Sequence, residues 1–120
     1  MSHSYKDLIV WQKSVSMVTE VYRATKAFPR EETFGLTGQL RRSAISVASN
    51  IAEGQGRLSR REFRQFLGHA RGSLIEMETQ IAIAGNLGYL SCDVKDHLSA
   101  VSGEVSRLLH RLMQSMEPPR

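Results

Sequence analysis

Of 120 residues only one is a cysteine and three are prolines, two of which, Pro118 and Pro119, stand at the far end. A lone Cys92 excludes an intramolecular disulfide framework, a zinc knuckle and a Cys-x-x-Cys redox pair, and it fits a reducing compartment. So few prolines leave the interior almost free of helix breakers. No apolar run approaches the ~20 residues of a membrane span. The polar opening MSHSYKDL lacks the apolar centre of a secretory signal. The expectation is a cytoplasmic protein with no membrane partner. Alternating strand patterns, internal repeats and low-complexity segments are also missing. The whole of residues 1–120 reads as one domain, long enough to bury its own core.

What is present is helical periodicity. Four segments are predicted, at about residues 6–27, 30–53, 60–87 and 93–116. The first carries two apolar stripes, one of Leu8, Trp11, Val15, Val18 and Tyr22, the other of Val10, Met17, Val21, Ala24 and Phe28. That is more than one core needs. In the second, Leu40, Ala44, Val47 and Ile51 mark a stripe among small residues, and Gly54 and Gly56 are read as its left-handed stop. The third has a heptad-like stripe, Phe63, Leu67, Ala70, Leu74, Met77, Ile81 and Ala84, with Ile75 and Ile83 assigned to the same side. Gly68 and Gly72 beside it read as a close-packing pair, and Gly85 and Gly88 as its close. Ser59 with Glu62 fits a capping box. The fourth has Val94, Leu98, Val101, Val105, Leu108 and Leu112. Short connections predict an all-α, antiparallel up-down-up-down four-helix bundle. Frayed ends are expected at residues 1–5 and 117–120.

Charge is unevenly placed. The formal net charge is +4, and twelve of the sixteen basic residues are arginines. Arg57, Arg60, Arg61, Arg64 and Arg71 crowd one stretch that contains a single acid, Glu62, while the rest of the chain balances. Arginine favours bidentate recognition of phosphate or carboxylate. A helix N-terminus in the same place adds to the attraction for anions. The bland alternative is a solvated face that meets acids of a neighbouring subunit.

A catalytic set is hard to assemble. His3, His69, His97 and His110 have no partner at helical spacing, and no Glu-x-x-His pair suggests a di-iron site. Gly54-Gln55-Gly56 lacks the Gly-Lys-Ser/Thr ending of a phosphate loop. Glu76 and Glu78 point to different faces. No cofactor, metal or small-molecule substrate is expected. Arg42, Asn50, Glu53 and Gly54 instead read as a structural corner, with Glu53 accepting from Arg42, Arg57 or loop N–H groups. Of Arg41 and Arg42, one must turn inward, where a carboxylate partner is expected.

QLRRSAISVASNIAEGQGR, followed by Ser59, Glu62-Phe63, Phe66-Leu67 and Gly72-Ser73-Leu74-Ile75-Glu76, resembles the four-helix proteins encoded in intervening sequences of bacterial 23S rRNA genes. Tyr5-Lys6-Asp7-Leu8 and Val10-Trp11-Gln12-Lys13 resemble that family's first helix, and Phe28-Pro29 and Phe34-Gly35-Leu36 the start of its second. The likeness runs from Tyr5 to Leu90 and is looser beyond. It implies a homo-oligomeric ring, a pentamer, similar to the accessory subunit of reverse transcriptases in diversity-generating retroelements, where a basic ring engages nucleic acid. The leading expectation is therefore a non-enzymatic oligomeric scaffold binding RNA or DNA through Arg57, Arg60, Arg61, Arg64 and Arg71. The alternative is a protein–protein adaptor whose arginines meet an acidic partner.

Overall fold

The computed structural model describes residues 4–117, and the outermost residues of both expected frayed ends lie outside that range. It is a bundle of four helices, α1 (Ile9–Thr25), α2 (Leu36–Gln55), α3 (Arg60–Asn86) and α4 (Cys92–Ser115), and no strand occurs among the described residues. Each helix touches two others: α2 lies between α1 and α3, and α4 closes the square against the same pair. The predicted stripes meet at the centre. Met17, Val21, Leu40, Val47, Ile51, Leu67, Met77 and Val105 are fully enclosed.

Among the described residues six polar side chains also enter the interior, and all but Thr37 find the partner that burial requires. Ser43 donates to the Gln80 side-chain oxygen at 2.6 Å, joining α2 to α3. Ser102 donates to Glu78 at 3.0 Å, joining α4 to α3.

The helix ends depart from the expected boundaries for local reasons. Tyr5–Asp7 form a separate 3-10 turn capped by Ser4, and Leu8 is extended, so α1 starts only at Ile9. Tyr5 is not frayed: its ring stands edge-on to Trp11 at 5.1 Å. Arg30–Glu32 likewise form a 3-10 turn rather than the start of α2. Gly35 breaks the path with ψ −117°, and Glu32 reaches forward to accept from the Leu36 N–H at 3.1 Å. The acidic residue thus serves the positive end of α2 from outside the helix.

The glycines behave differently from the sequence reading. Gly54 lies inside α2, and Gly56 at its end has an ordinary φ of −79°. The left-handed position is Gly88, with φ +77°. Tyr89 N–H bonds to Ala84 O and Gly88 N–H to Gly85 O, the paired bonds of a Schellman end. Gly85 is inside α3. Gly68 and Gly72 are not a close-packing pair, since a Cβ at either would meet nothing within 4 Å. Ile75 and Ile83 are 54% and 44% exposed and belong to the outer side of α3, not to the core stripe.

Candidate functional site

The corner between α2 and α3 is built on a missing side chain. Gly54 is buried, and a Cβ there would sit 2.7 Å from the Phe66 Cβ and 2.9 Å from the Phe63 Cδ1. Glycine lets α2 settle directly onto the two phenylalanines. Arg57 then lies in the loop with its guanidinium 4.5 Å from the Phe66 ring centroid, a cation–π contact. Ser59 opens α3 by accepting from the Glu62 N–H at 3.1 Å, and it donates to the Glu62 carboxylate at 3.2 Å.

The acidic part of the predicted corner does not assemble. Glu53 is exposed, and among the described residues no ion pair joins it to Arg42 or Arg57. Asn50 instead donates back to the Ser46 carbonyl at 2.8 Å and to its hydroxyl at 3.0 Å, and that hydroxyl meets Ser73 of α3 at 2.8 Å. Hydrogen bonds among small polar groups join α2 to α3 here, with no carboxylate taking part. Arg42 is exposed. Arg41 is the residue that turns inward, but it meets the Thr25 hydroxyl at 2.8 Å and the Tyr22 ring at 4.4 Å rather than a carboxylate.

All five arginines of the basic stretch are exposed. Arg64 pairs with Glu117 at 3.3 Å, which also ties down the end of α4. Arg60, Arg61 and Arg71 have no ion pair among the described residues. The bundle adds what the linear reading missed. Arg71 shares a shallow pocket of about 270 Å³ with Ser106, Arg107 and His110 of α4. Arg107, His110 and Arg111 are exposed and follow each other at helical spacing. That spacing was a usable signal, but only the α3–α4 packing joins it to Arg71. His69 stands edge-on to Phe66 at 5.9 Å, and His97 contacts Glu20 at 3.5 Å, away from this face. Among the described residues no group of three or more His, Cys, Asp or Glu is placed to hold a metal ion. No helix among them is long and apolar enough to cross a membrane.

The fold has a solved counterpart. A crystal structure of a protein with unknown function from the S23 ribosomal protein family of Bacteroides thetaiotaomicron aligns with a TM-score of 0.83. The alignment covers 91% of this chain and 98% of that one at 24% identity. No curated protein matches the chain. The sequence model of the 23S rRNA-intervening sequence proteins matches residues 6–111, nearly the whole bundle from the first 3-10 turn to within about a turn of the end of α4, and the chain belongs to that family.

Proposed function

We propose that this protein is a non-enzymatic, oligomeric scaffold that binds RNA or DNA through the arginine-rich end of its bundle. The supporting observation is the meeting of two basic stripes: Arg71 of α3, at helical spacing from Arg60 and Arg64, with Arg107 and His110 of α4, all exposed. A strip of guanidinium groups along two adjacent helices matches the repeating charge of a phosphate backbone and carries no base-reading geometry. Binding is therefore sequence-tolerant, micromolar or weaker, and steeply salt-dependent.

The same reading takes the bundle as antiparallel and its subunits as a ring, a pentamer on the family resemblance. Side-chain pairings along α2 and α3 support the first point: Gly54 near the end of α2 meets Phe63, while Ser43 nearer its start meets Gln80. Apolar surface left outside the core supports the second, on α1 at Val15 and Tyr22, on α2 at Ile45 and on α3 at Ile75 and Ile83. A ring repeats one modest basic patch into a strong field.

A filter-binding series across salt tests the ligand. Wild type should bind single-stranded RNA at low salt. Arg60→Gln/Arg64→Gln should bind more weakly and flatten the log–log salt slope by roughly 0.7 per lost phosphate contact. Absent binding at low salt, or a double variant matching wild type, moves the assignment to an adaptor for an acidic protein. Leu58 favours that second reading: it stands wholly in solvent between Arg57 and Arg60, an apolar anchor flanked by charge.

A further inference from the structure

At the end of the bundle remote from the α2–α3 corner, an open pocket of about 370 Å³ lies where α1 leads into α2. Lys26, Arg30 and Arg41 line it, with the threonines Thr25, Thr33 and Thr37, and no acid is among its lining residues. None of the three cations has an ion pair among the described residues. Arg41 is already fixed. Its Nε donates to Thr25 Oγ1, its guanidinium rests on the Tyr22 ring, and its remaining N–H groups are uncommitted.

Thr37 is the second, independent observation. It sits in the first turn of α2, is 7% exposed, and lines the same pocket. Its hydroxyl is the one buried side-chain polar atom among the described residues without a hydrogen-bond partner. A buried orphan of this kind costs free energy, which rotation of the hydroxyl toward an oxygen bound in the pocket would return. The helix N-terminus beside it favours negative charge. The nearby acids do not compete equally. Glu32 is committed through one oxygen to the Leu36 N–H and through the other to the Tyr89 hydroxyl, leaving Glu31 as the free carboxylate of that turn.

We infer that this pocket binds a single phosphate group, held by Lys26, Arg30 and Arg41 and by the Thr37 hydroxyl. A compact tetrahedral dianion suits three converging cations and a hydroxyl better than a planar carboxylate does. The group is either a free inorganic phosphate or the terminal phosphomonoester of a nucleic-acid strand, and the chemistry of recognition is shared. The site shares no lining residue with the arginine face, and α2 sets its Thr37 end ~30 Å from the Arg57–Arg60 corner at 1.5 Å per residue.

Isothermal titration with inorganic phosphate, against sodium chloride at matched ionic strength, is the test. Wild type should give a saturable heat with phosphate and none with chloride. Lys26→Gln/Arg30→Gln, at two exposed positions, should weaken binding by roughly tenfold per lost charged contact. Thr37→Val keeps the shape and removes the hydroxyl. It should weaken phosphate binding without lowering the melting temperature of the free protein, an outcome a purely structural threonine does not give. Arg60→Gln/Arg64→Gln should bind phosphate like wild type, so failure of the nucleic-acid reading leaves this site standing. Equal heats with phosphate and chloride would overturn the inference, as would undiminished affinity in Lys26→Gln/Arg30→Gln or loss of phosphate binding in Arg60→Gln/Arg64→Gln. In the Arg60→Gln/Arg64→Gln background, preference for a 5′-phosphorylated over a 5′-hydroxyl oligonucleotide supports the pocket with a strand end as its ligand. Equal oligonucleotide binding beside saturable phosphate binding supports it with the free anion.

Discussion

One methyl group separates two kinds of glycine in this bundle. At Gly54 it would collide with Phe63 and Phe66, both half-buried, and neither can retreat without moving the start of α3. At Gly68 and Gly72 it would meet open space. Alanine is favoured over glycine inside a helix by ~1 kcal/mol, whereas overpacking a tight contact costs ~1–3 kcal/mol. Gly54→Ala should therefore lower stability by up to about 2 kcal/mol net. Gly68→Ala and Gly72→Ala should each raise it by up to ~1 kcal/mol. Urea unfolding of the three variants checks the signs, and a stabilised Gly54→Ala would disprove the close-approach account. None of this was legible beforehand. A glycine before a loop reads as a stop, and only the position of the phenylalanines distinguishes a stop from a contact. Arg41 illustrates the same limit. That one of the Arg41–Arg42 pair turns inward follows from helix geometry. That its partners are a threonine and a tyrosine depends on where α1 ends.

Helices were legible where periodicity ran unbroken. The stripes of α2 and α3 fell in the core as read, apart from half-buried Phe63, and α4 starts and stops within a residue of its predicted bounds. The starts of α1 and α2 were not: a 3-10 turn and an extended leucine precede the first, a 3-10 turn precedes the second, and none of these carries a period of its own. One long-range link governs the start of α2. Tyr89, in the loop between α3 and α4, donates its hydroxyl to Glu32 at 3.0 Å, and its ring lies 5.4 Å from Phe28. The hydrogen bond to Glu32 raises the phenol's pKa, and burial and the negative charges of Glu32 and Glu31 push the same way. The folded state thus favours the neutral phenol. Its contribution to stability is complete below the unfolded tyrosine value of about 10 and is lost as pH rises through the higher folded value. Wild type should melt above Tyr89→Phe at neutral pH, and the gap should close above that window. Melting curves from pH 7 to 11 with a constant gap would contradict this.

Over the whole molecule, apolar surface is in surplus and charge is sorted by position. Val15 and Tyr22 with Ile45 mark one outer face, and Ile75 with Ile83 another. The sequence registered the excess on the first and third helices but misplaced it on the third, since a stripe one step round from the core differs by a single residue in register, as Ile75 does from Leu74 and Ile83 from Ala84. Two unlike apolar faces suit head-to-tail contact, which gives a ring where the rotation closes and a filament where it does not. Sedimentation equilibrium at micromolar concentration should return a multiple of the 13.5 kDa chain mass. A single-chain mass would refute the oligomeric reading.

The bare turns at Gly68 and Gly72 also have a mechanical meaning. α3 is the longest helix, 27 residues, or ~40 Å at 1.5 Å per residue. Its first third carries Arg60, Arg61 and Arg64, while beyond Gly72 it is clamped by Ser43–Gln80 and Ser102–Glu78. Between them, two glycines each cost the helix ~1 kcal/mol relative to alanine and add no packing of their own. This stretch is therefore where α3 is expected to yield first, and amide exchange faster at Gly68–Gly72 than at Met77–Ile81 would check it.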